Sequence, residues 1–140
     1  MKTKVLAIAV GIGVMVSLPV FAADHSIPTA PKNYLDMKNP LKVNKAVLER
    51  GEQVYERKCK KCHGANGDGK GEASDKLTIK PASFSAPGYL KGRSDGQLFF
   101  ITEKGSPNTD MEAFGPGTET SLSKDDMWRV VAYIRKAFTK

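Results

Sequence analysis

A chain of 140 residues with formal net charge +7 has room for one small domain and no more. A basic balance suits nucleic acid, an anionic membrane or an acidic protein partner. The lysines are spread along the chain rather than gathered in one basic helix, and the amino-terminal segment predicts export; both argue against nucleic acid.

The first 22 residues read as a secretory signal. Lys2 and Lys4 form a positive region, residues 5–16 form an apolar stretch broken by Gly11 and Gly13, and Pro19 precedes Val20-Phe21-Ala22-Ala23. The small residues predict cleavage near Ala22 or Ala23 and a periplasmic destination. The apolar stretch is short against the ~20 residues a membrane span needs, so an uncleaved anchor is the lesser alternative. Membrane contact is therefore expected only through a partner complex or an uncleaved signal. No cysteine lies near the cleavage site to carry a lipid. Cleavage removes two lysines and no acid, leaving the mature chain at +5.

Residues 23–43 hold Pro28, Pro31 and Pro40 with few aliphatic side chains, and read as an extended arm without a core of its own. The domain proper is expected over residues 44–140. Val47, Leu48, Gly51, Val54 and Tyr55 recur at helical spacing, which predicts a helix over residues 45–58. Asn44 is its N-cap, with Val43 and Leu48 placed as a hydrophobic staple. Residues 64–92 are rich in glycine and proline and predict loops with short turns. Ser94 opens a second helix, with Gln97 as capping-box partner and Gly105 as its stop. A further glycine-rich loop covers residues 106–120. The last helix is capped by Ser123, stapled by Leu122 and Met127, and carries an apolar stripe through Val130, Val131, Ile134 and Phe138. No segment alternates as a strand does. The expected fold class is all-α, three main helices separated by long loops. Such loops need something to pack on, and a large buried cofactor would supply it.

Cys59-Lys60-Lys61-Cys62-His63 identifies that cofactor. Two cysteines in an exported chain ordinarily suggest a disulfide. Here the C-x-x-C-H spacing instead matches covalent haem c attachment. Two thiols one turn apart can add to two vinyl groups on one porphyrin edge, and the next residue can offer an imidazole to the iron. A thioredoxin-like pair would want a βαβ setting, and zinc would need more Cys or His than the chain holds. One haem c is expected, bound through Cys59 and Cys62, with His63 as an axial ligand. For the second axial position Met111 is the leading candidate, because it lies in a polar glycine-rich loop where a core role is hard to justify. Met127 sits in an apolar helical stripe and Met37 in the arm. His25 and an open sixth position remain as alternatives.

On these residues the chain resembles the class I single-haem bacterial cytochromes c, over residues 44–140. The resemblance is carried by Gly51 and Tyr55 ahead of Cys59, by Cys59-Lys60-Lys61-Cys62-His63-Gly64 and by Gly67-Asp68-Gly69. Met111-Glu112-Ala113-Phe114 and Trp128-Arg129-Val130-Val131-Ala132-Tyr133-Ile134-Arg135 complete it. It implies a cytochrome c-like fold in which the first and last helices cross beside the haem, Gly51 permits the approach, and Tyr55 and Tyr133 pack at the crossing. It also implies a methionine ligand in the loop before the last helix, in line with Met111. Glu112 departs from the pattern, since proline is common there; its loss would loosen the loop without removing the ligand.

The function expected is that of an exported, non-enzymatic carrier passing one electron at a time between redox partners. Phe84, Tyr89, Phe99, Phe100 and Phe114 are candidates to line the haem pocket, and Arg93 to contact a propionate. Lys58, Lys60, Lys61, Lys70, Lys91 and Lys104 are candidates for a basic rim that docks acidic partners. One alternative is a haem-bearing subunit of a larger oxidoreductase, with the arm as its tether. A more distant one is a haem enzyme or gas sensor with a vacant iron site.

Overall fold

A computed structural model describes residues 27–140; the predicted signal, its cleavage site and His25 lie outside the described residues. Five α-helices follow in order: α1 Lys32–Leu35, α2 Lys45–Lys58, α3 Lys60–His63, α4 Asp95–Lys104 and α5 Lys124–Phe138. A single 3-10 turn, Ser74–Lys76, lies between α3 and α4. No strand occurs among the described residues. The three long helices are those expected from periodicity, and long loops join them.

Local chemistry sets the helix ends. The Asn44 side chain accepts from the Val47 amide at 3.0 Å, Ser94 from Gln97 at 3.1 Å and Ser123 from Asp126 at 3.1 Å. Gly105 ends α4 at φ +72°, a backbone region that glycine enters without a Cβ clash. Two finer expectations differ. Val43 is 54% exposed, so it does not staple onto Leu48. The Gln97 side chain does not return to its own cap but reaches the amino-terminal arm.

The main contact is the crossing of α2 and α5. An ideal Cβ at Gly51 would lie 2.2 Å from the Arg129 carbonyl oxygen, so only glycine lets the backbones meet. Tyr55 and Tyr133 pack there with ring centroids 5.5 Å apart. Around them Val54, Val130, Val131, Ile134 and Phe138 form the core, and Phe99 of α4 stacks on Trp128 of α5 at 4.1 Å. Met127 is fully buried there, as its stripe implies. Arg50 of α2 forks onto Asp126 of α5 through Nε at 3.0 Å and Nη2 at 2.6 Å, and Arg129 adds a third bond at 2.9 Å. These bonds hold the Asp126 carboxyl below its ordinary range, Arg50 being the largest cause.

The arm is not extended throughout. Residues 32–35 form one helical turn, and Tyr34, Met37 and Leu41 pack against the core.

Candidate cofactor site

α2 ends at Lys58, and Cys59 turns the chain into the one-turn helix α3 that carries Cys62 and His63. The loop that follows folds back along α3 and satisfies its carbonyls. The amides of Gly69, Gly71 and Ala73 donate to the oxygens of His63, Cys62 and Lys61 at 2.9, 3.1 and 3.0 Å. A Cβ at Gly71 would stand 2.3 Å from the Lys61 oxygen, so this return path requires glycine. The Tyr55 hydroxyl, buried in the core, donates to the Gly64 oxygen at 2.7 Å and ties the segment to α2.

Cys59 and Cys62 do not pair with each other as a disulfide. Cys59 and His63 line an apolar cavity of about 260 Å³ bounded by α4, α5 and the loops around residues 77–89 and 106–114. Burial pushes the Cys59 thiol up to about 12 and lowers the affinity of His63 for a proton. The His63 Nδ1 lies 3.0 Å from the Ala82 carbonyl oxygen. A carbonyl can only accept, so Nδ1 carries the proton and Nε2 keeps its lone pair. A neutral imidazole with one nitrogen anchored and the other free is the state a metal ligand requires. Phe84 stacks on this ring at 4.4 Å and 15°.

Met111 lines the same cavity. Its loop is closed by the Ser106 amide donating to the Met111 oxygen at 3.0 Å and by the Met111 amide donating to Thr109 Oγ1 at 3.1 Å. Burial, the largest cause, raises the Cys62 thiol; Lys61 lowers it, and the Asp110 and Glu112 carboxylates add to the rise. Met37 and Met127 are absent from the cavity wall. Of the expected aromatic lining, Phe84, Tyr89 and Phe114 are present. Phe99 and Phe100 are not: Phe99 is taken by Trp128, and Phe100 meets Tyr34 edge-on at 5.0 Å. Arg93 is at the cavity, its guanidinium 3.7 Å over the Tyr89 ring and bonded to the Tyr89 oxygen at 3.0 Å.

Sequence reasoning missed the Ala82 carbonyl, a backbone group with no residue signature. It also missed Leu98 and Ile101, which line the cavity and whose three-residue spacing on a helix was available as a signal. Among the basic rim candidates, Lys60 pairs with Glu56 at 2.6 Å and Lys104 with Glu103 at 3.1 Å. Lys58, Lys61, Lys70 and Lys91 are exposed and have no carboxylate partner among the described residues.

An apolar chamber with the Cys59 thiol in its wall, Cys62 three residues on, and an imidazole with a free nitrogen fit a haem, and no cluster of three or more His, Cys, Asp or Glu offers another metal a home among the described residues. The fold and site thus define an all-helical protein built around a covalently held haem c. The cytochrome c family profile matches residues 48–138, and the chain belongs to that family. No curated protein sequence matches it. Among solved structures it is similar to a chain of the Kuenenia stuttgartiensis reducing HAO-like protein complex Kustc0457/Kustc0458, with TM-score 0.62 and 27% identity. That match covers 72% of this chain and 47% of the other, so this chain spans about half the length of that relative. It is also similar in fold to the KustC0563 c-type cytochrome, with TM-score 0.52 and 23% identity, over 64% of this chain and 98% of the other. The family assigns a role in electron transfer with one covalently bound haem c, and Cys59, Cys62 and His63 fit its single attachment motif.

Proposed function

We propose that this protein is an exported, non-enzymatic electron carrier whose haem is held by Cys59 and Cys62 and ligated by His63 and Met111. The observation that carries the reading is the shared chamber: His63 and Met111 line one apolar cavity while the other described methionines lie elsewhere. When bound, the haem supplies a one-electron couple. Cys59 and Cys62 would hold it through thioether bonds to its two vinyl groups, the sulfur and hydrogen of each thiol going to the two vinyl carbons, so no external oxidant would be needed. His63, its Nδ1 held by the Ala82 carbonyl, would offer Nε2 to the iron. Met111 would offer its thioether from the loop as the second ligand, which would favour the reduced state. Apolar side chains such as Phe84, Leu98 and Ile134 exclude water, which favours the reduced form. Arg93 stands at the cavity as a cation for a propionate carboxylate. The residues before Ala23 act as a cleaved signal, residues 23–43 as an arm, and residues 44–140 as the haem domain of a periplasmic protein. The exposed Lys58, Lys61, Lys70 and Lys91 steer acidic redox partners.

The test is the far-red ferric band that reports a thioether–iron bond. Met111→Ala abolishes it and opens the reduced protein to carbon monoxide; an unchanged band overturns the ligand assignment. A second reading, a bound subunit of a larger oxidoreductase, is favoured by the likeness to a chain of the HAO-like complex. Its tether version gains no support from residues 28–41, which are engaged on this chain's own α4 and α5. Fractionation of native cells separates the two, free periplasmic protein favouring the carrier and co-elution with a large complex favouring the subunit.

A further inference from the structure

Gln97 is 7% exposed and lies in the first turn of α4, yet its amide serves neither its own helix nor solvent. Oε1 accepts from the Ala30 amide at 2.8 Å, and Nε2 donates to the Pro28 oxygen at 2.9 Å. The helix cap uses only the Gln97 backbone amide, so an apolar side chain would serve α4 equally well. The glutamine is there for the arm. Ala30 is 3% exposed between these bonds. Downstream, α1 rests so closely on α4 that a Cβ at Gly96 would meet the Tyr34 oxygen at 1.7 Å. Tyr34 donates to Glu103 Oε2 at 2.5 Å, and Asn39 Nδ2 donates to the Trp128 oxygen at 2.8 Å. At the upstream end of this anchored stretch, Ile27 joins the wall of the cofactor cavity, as does Gln97 itself.

We propose that residues 27–39 form a strap that completes the haem pocket, with Gln97 as the positioning residue that holds Ile27 over the cofactor. The proposal rests on the haem reading above. Every other cavity residue comes from Cys59 onward, so the strap is the one wall contributed from before the attachment motif among the described residues. Its effect follows from charge. The oxidised cofactor carries one more positive charge than the reduced one, and water stabilises that charge. An apolar strap that keeps water out favours the reduced state. Losing the Gln97 amide would leave the buried Ala30 amide and the Pro28 oxygen without partners, which favours release of the strap into water.

The experiment compares haem-loaded wild type with Gln97→Leu and Ile27→Ser by redox titration and by limited trypsin digestion at the exposed Lys32 and Lys38. Gln97→Leu should shift the redox equilibrium about tenfold toward the oxidised form, ~59 mV for a one-electron couple, and speed cleavage at both lysines about tenfold. Ile27→Ser should lower the potential in the same direction while leaving cleavage at the wild-type rate, because the clamp is intact. A purely structural role for the arm would change digestion without moving either potential. Haem-loaded variants that both titrate at the wild-type potential overturn the strap and leave the carrier reading standing. If Gln97→Leu does not fold, Ile27→Ser decides alone. Wild-type protein that acquires no covalent haem overturns both readings at once.

Discussion

Two short segments line the cofactor cavity, and they are held in different ways. On one side, residues 59–73 are bound carbonyl by carbonyl: three returning amides, the buried Tyr55 hydroxyl and the His63–Ala82 bond leave little freedom. On the other, residues 105–114 close on themselves through Ser106, Thr109 and Met111, and join α4 at their end through the Phe114 amide and the Thr102 oxygen at 3.0 Å. His63 is buried, whereas Met111 is half-buried with exposed Asp110 and Glu112 on either side. Attachment needs permanence, since two covalent bonds and an imidazole must be placed once. On the ligation proposed above, the thioether would need only to reach, and a loop with few anchors would allow it to leave. Exchange at the cofactor is therefore expected on the Met111 side.

The largest effect should come from breaking the rigid side. Gly71→Ala drives a methyl against the Lys61 carbonyl, 2.3 Å from the ideal Cβ, with the Lys60 oxygen at 2.6 Å. Both obstacles are backbone and cannot rotate away, so the return loop must move. A cost of roughly 3 kcal/mol is expected. The measurement is the yield of covalently loaded protein together with its denaturant midpoint; a wild-type yield and midpoint would show that the loop is not rigid.

Next in size is Met111→Ala, which acts on the pliant side. The helices and covalent haem should persist, seen as unchanged far-ultraviolet circular dichroism and retained haem after acid–acetone extraction. The potential should fall as the thioether is lost. If instead the helical signal collapses, the two sides are not separable and the contrast fails.

Much of this contrast was legible before any coordinates. C-x-x-C-H marks the rigid side because covalent chemistry demands fixed spacing, and the three long helices announced themselves through caps and apolar stripes. The close approach at Gly51 was implied by the family resemblance rather than by the helix pattern itself, and the Arg129 carbonyl 2.2 Å from its ideal Cβ bears it out. The partners of the site were harder. Ala82 acts through its carbonyl, so any residue identity would serve. Gln97 satisfied a local capping pattern and hid a contact to residues 28 and 30, far away in sequence. Phe99 and Phe100 were equally good as pocket or core by type alone, and the choice was made by where Trp128 and Tyr34 stand.

A smaller effect tests whether the α2–α5 crossing from which the rigid side springs depends on charge. Asp126 links α2 and α5 through Arg50 and Arg129, and those bonds lower its pKa in the folded state. A carboxyl with a depressed folded pKa contributes its full stability above the unfolded value of about 3.9. That contribution fades as pH falls from there through the folded value. Wild type should therefore lose stability below about pH 4 more steeply than Asp126→Asn, while the variant is the less stable of the two at pH 7. Denaturation midpoints followed across the acid range check this, and parallel curves would show that Asp126 adds nothing through its charge.

The smallest change is aimed at the pliant side alone. Thr109 Oγ1 accepts from the Met111 amide at 3.1 Å and donates to the Ser106 oxygen at 2.8 Å, so one hydroxyl cross-links the loop. Thr109→Val keeps the shape and removes both bonds, at a cost of about 1 kcal/mol. Because the loop's ends are fixed at Gly105 and Phe114, that cost should fall on the loop rather than on the fold. Global midpoints should then stay near wild type while an added ligand such as imidazole displaces Met111 about fivefold more readily, the equivalent of ~1 kcal/mol. Imidazole titration of the ferric protein reads this directly. Equal displacement in variant and wild type would mean that Met111 is held by the cavity wall and not by its loop, and the difference between the two sides would then be one of burial alone.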